Sequence, residues 1–283
     1  MQVIEPHQLH QRRKKSGKSK SVILPIFVAA IIGLASYFIY QNYFSGDSAL
    51  SVAEQPQKTQ TETVPKTGTL KTFTGLEFKD LYNSIAYPNT QEISEETPIT
   101  GDPAADRHIR DLAEARGYLP RSAPVSDVFR NVGDSFVLQE KAATDWLKLK
   151  SAAKKDSLEL SLTAAYRSAD DQKNIFLGKL KTYGIQSSLI ASSKYDVQID
   201  EVLKTTALPG YSRHHTGYTV DISCPSNPVT FENSTCFDWL KKNNYKNAKL
   251  SGWIPSYPAG AGQQGPDPEP WEYVWVGKET LLQ

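Results

Sequence analysis

Histidine and cysteine are scarce in this chain of 283 residues, with five of the first and two of the second. That scarcity limits where a metal can bind. Cys224 and Cys236 have no further Cys or His at short spacing, which excludes a zinc–thiolate cluster. A charge excess of either sign is also missing: 32 Lys and Arg stand against 31 Asp and Glu, for a net charge of +1. The overall charge therefore gives no electrostatic ground for a nucleic-acid partner. Internal repeats are absent, and long apolar runs are absent but for one.

That one run is Ser21 to Tyr40, SVILPIFVAAIIGLASYFIY, which carries no charge. As a helix it spans roughly 30 Å, the hydrocarbon thickness of a bilayer. Arg12, Arg13, Lys14, Lys15, Lys18 and Lys20 crowd the segment before it. A cleaved signal peptide has a shorter apolar stretch, about 7–15 residues, and a small-residue cleavage site. The expectation is an uncleaved transmembrane anchor over 21–40. Its basic tail, 1–20, stays on the cytoplasmic side and the remainder lies outside the cell membrane. Pro25 near the start of the span is tolerated there.

From residue 41 the composition turns polar. Gln55 to Thr69 (QPQKTQTETVPKTGT) has almost no apolar side chains and cannot bury a core. The reading is a flexible tether over 41–101, with a folded domain over 102–283. Within the tether, Phe73 to Tyr82 (FTGLEFKDLY) is apolar enough to dock, at a place the sequence does not disclose.

In the folded part, Ala104 to Gly117 has helical spacing at Ile109, Leu112 and Ala113 and ends on a glycine suited to a C-cap. Phe136 to Ala153 predicts a second helix with Leu138, Ala142, Trp146, Leu147 and Leu149 on its apolar face. Leu158 to Ala165 alternates like a strand. Ala169 to Tyr183 predicts a helix capped by Ser168, with Asp170 and Asp171 in its first turn. Tyr218 to Ile222 and Glu272 to Val276 read as strands, and Phe237 to Asn244 as a helix. Short strands and helices in mixed order predict an α+β domain around a central antiparallel sheet, behind one transmembrane helix. Cys224 and Cys236 bracket a loop with Pro225, Asn227 and Pro228, in a part of the chain expected outside the cell. A disulfide between them is the expectation, and two free thiols the alternative.

The chemistry-bearing stretch is Ser212-Arg213-His214-His215-Thr216-Gly217-Tyr218-Thr219-Val220-Asp221. A His and an Asp seven residues apart suit a divalent metal such as zinc. Farther on, Glu269-Pro270-Trp271-Glu272 offers a base and a third ligand. Two ligands plus a distant acidic pair suffice for metal-assisted hydrolysis.

Three separated motifs carry a resemblance. They are Ala165-Tyr166-Arg167-Ser168-x-x-x-Gln172, then Ser212-x-His214-x-x-Gly217-x-Thr219-x-Asp221, then Glu269-Pro270-Trp271-Glu272-Tyr273-Val274-Trp275-Val276-Gly277. In order and spacing they resemble the VanY-like zinc D,D- and L,D-carboxypeptidases of peptidoglycan. The resemblance covers residues 105 to 283. It implies a mixed α+β fold of the Hedgehog and D,D-peptidase kind and a hydrolase of wall peptides holding one zinc ion.

The resemblance assigns roles residue by residue. His214 and Asp221 are metal ligands, and Glu269 is the general base. Arg167 holds a substrate carboxylate or the developing oxyanion. Ser168, Gln172 and Ser212 are substrate hydrogen-bond partners, or equally a helix cap, a helix-face polar residue and a turn residue. Tyr166 and Trp271 are substrate platforms or core aromatics.

Two positions depart from the family's pattern. Thr219 replaces an alanine, and Glu272 stands where the family has its third ligand, a histidine. His7 and His10 fall in the basic tail, and His108 in an N-terminal helix. His215 adjoins His214, and in an extended segment the two would face opposite ways. Glu272 is then the substitute ligand, because a carboxylate binds zinc at about the same distance as an imidazole. The expected function is a membrane-anchored D,D-carboxypeptidase acting on peptidoglycan stem peptides. An L,D-carboxypeptidase, a cross-bridge endopeptidase and a wall-binding domain with a degenerate site are the alternatives.

Overall fold

A computed structural model describes residues 68–92, 97–126, 129–227 and 229–283. The basic tail, the expected anchor at 21–40 and the tether up to residue 67 lie outside the described residues. Among the described residues no helix is long and apolar enough to cross a membrane.

The folded part opens earlier than the boundary read at residue 102. Residues 69–71 run alongside the chain's last three residues: Leu70 bridges Leu282, and Gln283 N–H donates to the Thr69 carbonyl at 3.0 Å. Helix α1, Gly75–Ser84, follows. Thr74 caps it by accepting from the Glu77 N–H, while the Glu77 carboxylate reaches back to the Thr74 N–H, a reciprocal capping box. Phe78 and Tyr82, one turn apart, go into the core. Phe78 meets Phe73 at 5.0 Å and the edge of Tyr245 at 5.6 Å between ring centres. Within the stretch read as tether, Phe73 to Tyr82, expected to be apolar enough to dock, is a docked arm, and the core of the domain is the place the sequence did not disclose.

Among the described residues the strands group into three antiparallel sets. β1 (Thr90–Glu92) pairs with β2 (Ser122–Pro124), and β3 (Phe129–Gly133) with β4 (Phe136–Gln139). The largest sheet has the order β5-β6-β8-β7, from Ser161–Ala164, Thr219–Ser223, Glu272–Trp275 and Trp253–Pro255. Every pairing in it is antiparallel. The expected mixed fold with an antiparallel sheet is what forms.

Helix α2, Pro103–Ala115, starts on an Asp102 cap with proline in its first turn and buries Ala105, Ile109 and Ala113. Helix α3 is Glu140–Lys155, shorter than the helix predicted from Phe136. Phe136–Gln139 extend as β4 instead, because β3 offers them a hairpin partner. Leu147 lies 37% exposed, off the buried face made by Ala142, Trp146, Leu149 and Ala153. Helix α4, Ala169–Thr182, has the expected Ser168 cap and acidic first turn, and buries Gln172, Phe176 and Leu180 at four-residue steps. Helix α5 is Asp196–Leu203. Helix α6, Thr235–Lys249, is broken at Lys242–Tyr245, where Asn243, Asn244 and Tyr245 take positive φ. Asn tolerates that conformation. The Asn244 side chain uses the break to hold both backbone groups of Phe73, at 3.0 and 2.8 Å. Cys224 and Cys236 are joined in a disulfide.

Two apolar clusters result among the described residues. One lies among the largest sheet, α1, α3 and α6. The other gathers α2, α4 and α5.

Candidate metal centre and active-site cleft

Strand pleating places the acidic pair. Val220 and Ile222 pack into the core, so Asp221 between them turns to the opposite face. On β8 all four residues are buried, and Glu272 lies on the strand face opposite to its neighbour Tyr273. The register then sets Asp221 directly opposite Glu272.

His214 arrives from a 3₁₀ turn, Arg213–Thr216, that ends at Gly217 in the left-handed region (φ 74°). A Cβ at Gly217 would stand 3.0 Å from both Gln139 and Phe129 side-chain carbons, so glycine answers two requirements at once. Ser212 caps the turn by accepting from the His214 N–H at 3.3 Å. The Ala165 carbonyl can only accept, so His214 Nδ1 carries a proton and donates to it at 2.7 Å. Nε2 is thereby left with its lone pair facing the carboxylates, the arrangement of a ligating imidazole oriented from behind.

Nε2 lies 3.4 Å from Asp221 Oδ1 and 3.6 Å from Glu272 Oε2. All three donor atoms lie within 4.8 Å of one another. Zinc bonds of about 2.0–2.1 Å arranged tetrahedrally put ligand atoms about 3.3 Å apart. Asp221 Oδ1 is buried and accepts no hydrogen bond. A buried carboxylate oxygen facing a second carboxylate and an imidazole lone pair calls for a cation, so the donor set fits a divalent metal. Burial works against protonating His214, yet the nearby Asp221 and Glu272 carboxylates hold the imidazole above its ordinary value. That expresses the same demand for positive charge.

Glu269 sits one turn before β8, where its carbonyl accepts the Glu272 N–H at 3.0 Å. Burial, reinforced by the Glu272 and Asp221 carboxylates, pushes its carboxyl up to about 8. It lines a cleft of about 280 Å³ together with His214, Asp221, Glu272, Arg167, Gln172 and Ser212.

Not every sequence-derived candidate reaches this cleft for the purpose expected. Gln172 is buried, accepting from Arg167 Nη1 at 2.8 Å and donating to the Ala207 carbonyl at 2.6 Å. It holds Arg167 in place and has little left for a substrate. Ser168 is absorbed by Asp171, as the cap of α4. Tyr166 packs on Phe129 at 4.2 Å between ring centres. Trp271 borders a separate hollow with Cys224, Val229 and Phe231. Ser168, Tyr166 and Trp271 are not among the residues lining the cleft.

His215 does face away from the ligands, but not for the reason first given, since the segment is a 3₁₀ turn and not extended. Its Nδ1–H donates to the Arg167 carbonyl at 2.8 Å, and its Nε2 accepts the Gly210 N–H at 3.0 Å. Burial lowers it to about 4, so it is a neutral structural residue. His108 is bonded to Asp196 instead.

The sequence reading passed over several cleft residues. Arg213, the unassigned position between Ser212 and His214, is buried and pairs with Glu272 Oε1 at 3.1 Å. Tyr257 and Gln264 flank it, and Tyr118 and Arg121 line the same cleft. Arg121 donates to Asn83 at 2.7 Å, its Nε lacks a partner, and burial lowers it to about 10. A lone arginine inside a metal motif was the available signal for Arg213. Nothing comparable marked the others.

Known proteins are similar to this chain over its motifs. YodJ of Bacillus subtilis, which carries a carboxypeptidase name, is 28% identical over 282 residues, 94% of this chain and 92% of that protein. Among solved structures, VanYB in complex with D-alanine-D-alanine is similar at 25% identity, covering 55% of this chain and 81% of that one, with a TM-score of 0.44. The LD-carboxypeptidase LdcB is similar at 26% identity, covering 55% of this chain and 71% of that one, with a TM-score of 0.43. The sequence model of VanY, D-alanyl-D-alanine carboxypeptidase, matches residues 135–278, half of the chain and all three motifs. The chain therefore belongs to the VanY family of D-alanyl-D-alanine carboxypeptidases, a family of peptidases.

Proposed function

We propose that the protein is a membrane-anchored zinc D,D-carboxypeptidase that removes the terminal D-alanine from peptidoglycan stem peptides. The observation that carries the reading is the trio of His214, buried, Asp221, partly buried, and Glu272, buried, with an unpartnered carboxylate oxygen, lining a cleft that also holds Glu269 and Arg167. The family membership, and the D-alanyl-D-alanine specificity in the family's name, support the substrate class.

His214, Asp221 and Glu272 would hold one zinc ion. When bound, the ion supplies Lewis-acid polarisation of the scissile carbonyl and a more acidic water. Glu269 takes the proton of the attacking water and delivers it to the leaving amine. Its raised affinity for a proton suits it to that shuttle. Arg167, held by Gln172, offers its remaining N–H groups to the terminal carboxylate or the developing oxyanion. Localisation rests on the apolar run at 21–40 behind its basic flank, which would hold the cleft outside the membrane facing the wall polymer.

One observation favours a second reading. Glu272 already has a cationic partner in Arg213, which would let the site persist as a metal-free, wall-binding pocket. Incubating the full-length protein with zinc and a stem pentapeptide ending in D-Ala-D-Ala separates the two. Loss of one alanine by mass spectrometry supports the carboxypeptidase. Loss from the tetrapeptide alone reassigns it as an L,D-carboxypeptidase. Cleavage only of cross-linked dimers makes it an endopeptidase. No cleavage with any divalent metal leaves the binding pocket.

A further inference from the structure

Arg213 is the most heavily engaged side chain near the cleft. Nη1 donates to Glu272 Oε1 at 3.1 Å and to the Tyr257 hydroxyl at 2.6 Å. Nη2 donates to Gln264 Oε1 at 3.2 Å and to the Tyr82 hydroxyl at 3.3 Å. The guanidinium also lies over the rings of Tyr257 and Tyr82, at 4.8 and 5.2 Å. Gln264 is itself anchored on the Ser256 carbonyl at 2.9 Å, and Tyr82 donates to the same carbonyl at 3.3 Å. The head group is therefore held on its plane and at both terminal nitrogens, while its buried Nε has no partner.

Two consequences for Glu272 follow. With Oε1 committed to Arg213, the carboxylate cannot turn freely, and Oε2 is the oxygen left toward His214. The local charge also changes. Counting formal charges, a divalent ion with Asp221 and Glu272 sums to about zero, and Arg213 brings the total back to about +1, the value for one aspartate and two histidines.

We propose that Arg213 is a positioning residue for the metal site: it aims Glu272 as a single-oxygen ligand and restores the positive charge that a glutamate in place of a histidine takes away. The proposal rests on the reading of Glu272 as a ligand. It also gives the N-terminal arm a share in the site, because Tyr82 on α1 is one wall of the arginine's enclosure. Glu272 and Arg213 are then a matched pair that cannot be exchanged one at a time. A histidine at 272 needs no arginine, and an arginine left facing it is a buried charge without its partner.

The test is zinc affinity of the full-length protein, measured by competition with a chromophoric chelator, with circular dichroism to confirm folding. Arg213→Met is expected to weaken zinc binding by about 10–100-fold, the usual effect of losing an outer partner of a ligand. Glu272→His alone is expected to bind zinc more weakly than the parent, and Arg213→Met added to it is expected to recover at least tenfold. Recovery through a second lesion is something a merely structural arginine would not produce.

If Glu272→Ala leaves zinc affinity unchanged, the reading of Glu272 as a ligand fails. If Glu272→Ala weakens binding while Arg213→Met does not, that reading stands and the proposal for Arg213 is overturned. Should Arg213→Met not fold, the comparison of Glu272→His with the double variant decides alone. Equal affinities of those two overturn the proposal.

Discussion

Asp221 on β6 stands directly across from Glu272 on β8, two carboxylates facing one another on adjacent strands. Like charges in that relation destabilise a sheet. The pair persists because positive charge converges on it: the buried Arg213 on one oxygen of Glu272, and a site for a cation between the rest.

Asp221→Asn relieves the repulsion and removes a donor. In the metal-free protein we expect unchanged or slightly higher thermal stability, by about 0.2–1 kcal/mol. Zinc binding should weaken beyond the about 10–100-fold typical of an outer partner. For the parent, zinc at about one hundred times its dissociation constant should add about 2.7 kcal/mol of stability, and for the variant almost none. Calorimetric melting with and without zinc reads both effects. A variant that holds zinc as the parent does would remove Asp221 from the centre.

Glu269→Gln keeps the shape of the side chain but cannot take a proton. We expect turnover of the stem pentapeptide to fall by about 10²–10⁴-fold, with zinc affinity retained. Product analysis alongside a zinc titration checks it, and undiminished turnover would exclude Glu269 as the base.

Phe78→Ala probes the arm. The ring is 1% exposed and wedged against Phe73 and Tyr245. Truncation should cost about 3–5 kcal/mol, read from the urea midpoint by circular dichroism. A loss well under 1 kcal/mol would mean that α1 does not belong to the cooperative fold.

Alkaline pH should unfold the domain. Burial raises the Tyr218 phenol to about 12, and it also raises Tyr82, Tyr87, Tyr118, Tyr245, Tyr257 and Tyr273. In an unfolded chain a tyrosine ionises near 10. Above that pH the unfolded state has fewer bound protons than the native one, so stability falls as pH rises. The contribution is complete below about pH 10 and, for Tyr218, is lost through about 12. The tyrosinate absorbance of these seven phenols should rise together with the loss of circular dichroism. Ionisation of these seven at pH 10 to 11 with the fold intact would contradict it.

Much of the site was legible because its determinants are local. Ser212 to Asp221 is a single stretch in which the cap, the turn glycine, the imidazole and the following strand are set by near neighbours. The helix at 169–182 was likewise written in its Ser168 cap and acidic first turn. Failures fell where a partner outside the segment decided. Phe136–Gln139 carry a helical pattern but extend, because β3 supplies hydrogen bonds. Gln172 suits substrate contact by type, and it is occupied by the Ala207 carbonyl, a neighbour visible only in space.

By itself the sequence determined the chemistry available: scarce histidines, a His–Asp motif, a carboxylate at position 272, and the order of elements that makes the α+β domain. Periodicity and capping act over a few residues, so they survive in one dimension. The tertiary structure alone decided that Arg213 meets Glu272, 59 positions away, and that a helix in a polar stretch closes around that arginine through Tyr82. Those contacts depend on strand register and on the packing of α1 against the core. Both are settled by the burial of many residues at once, and no single residue of the sequence announces them.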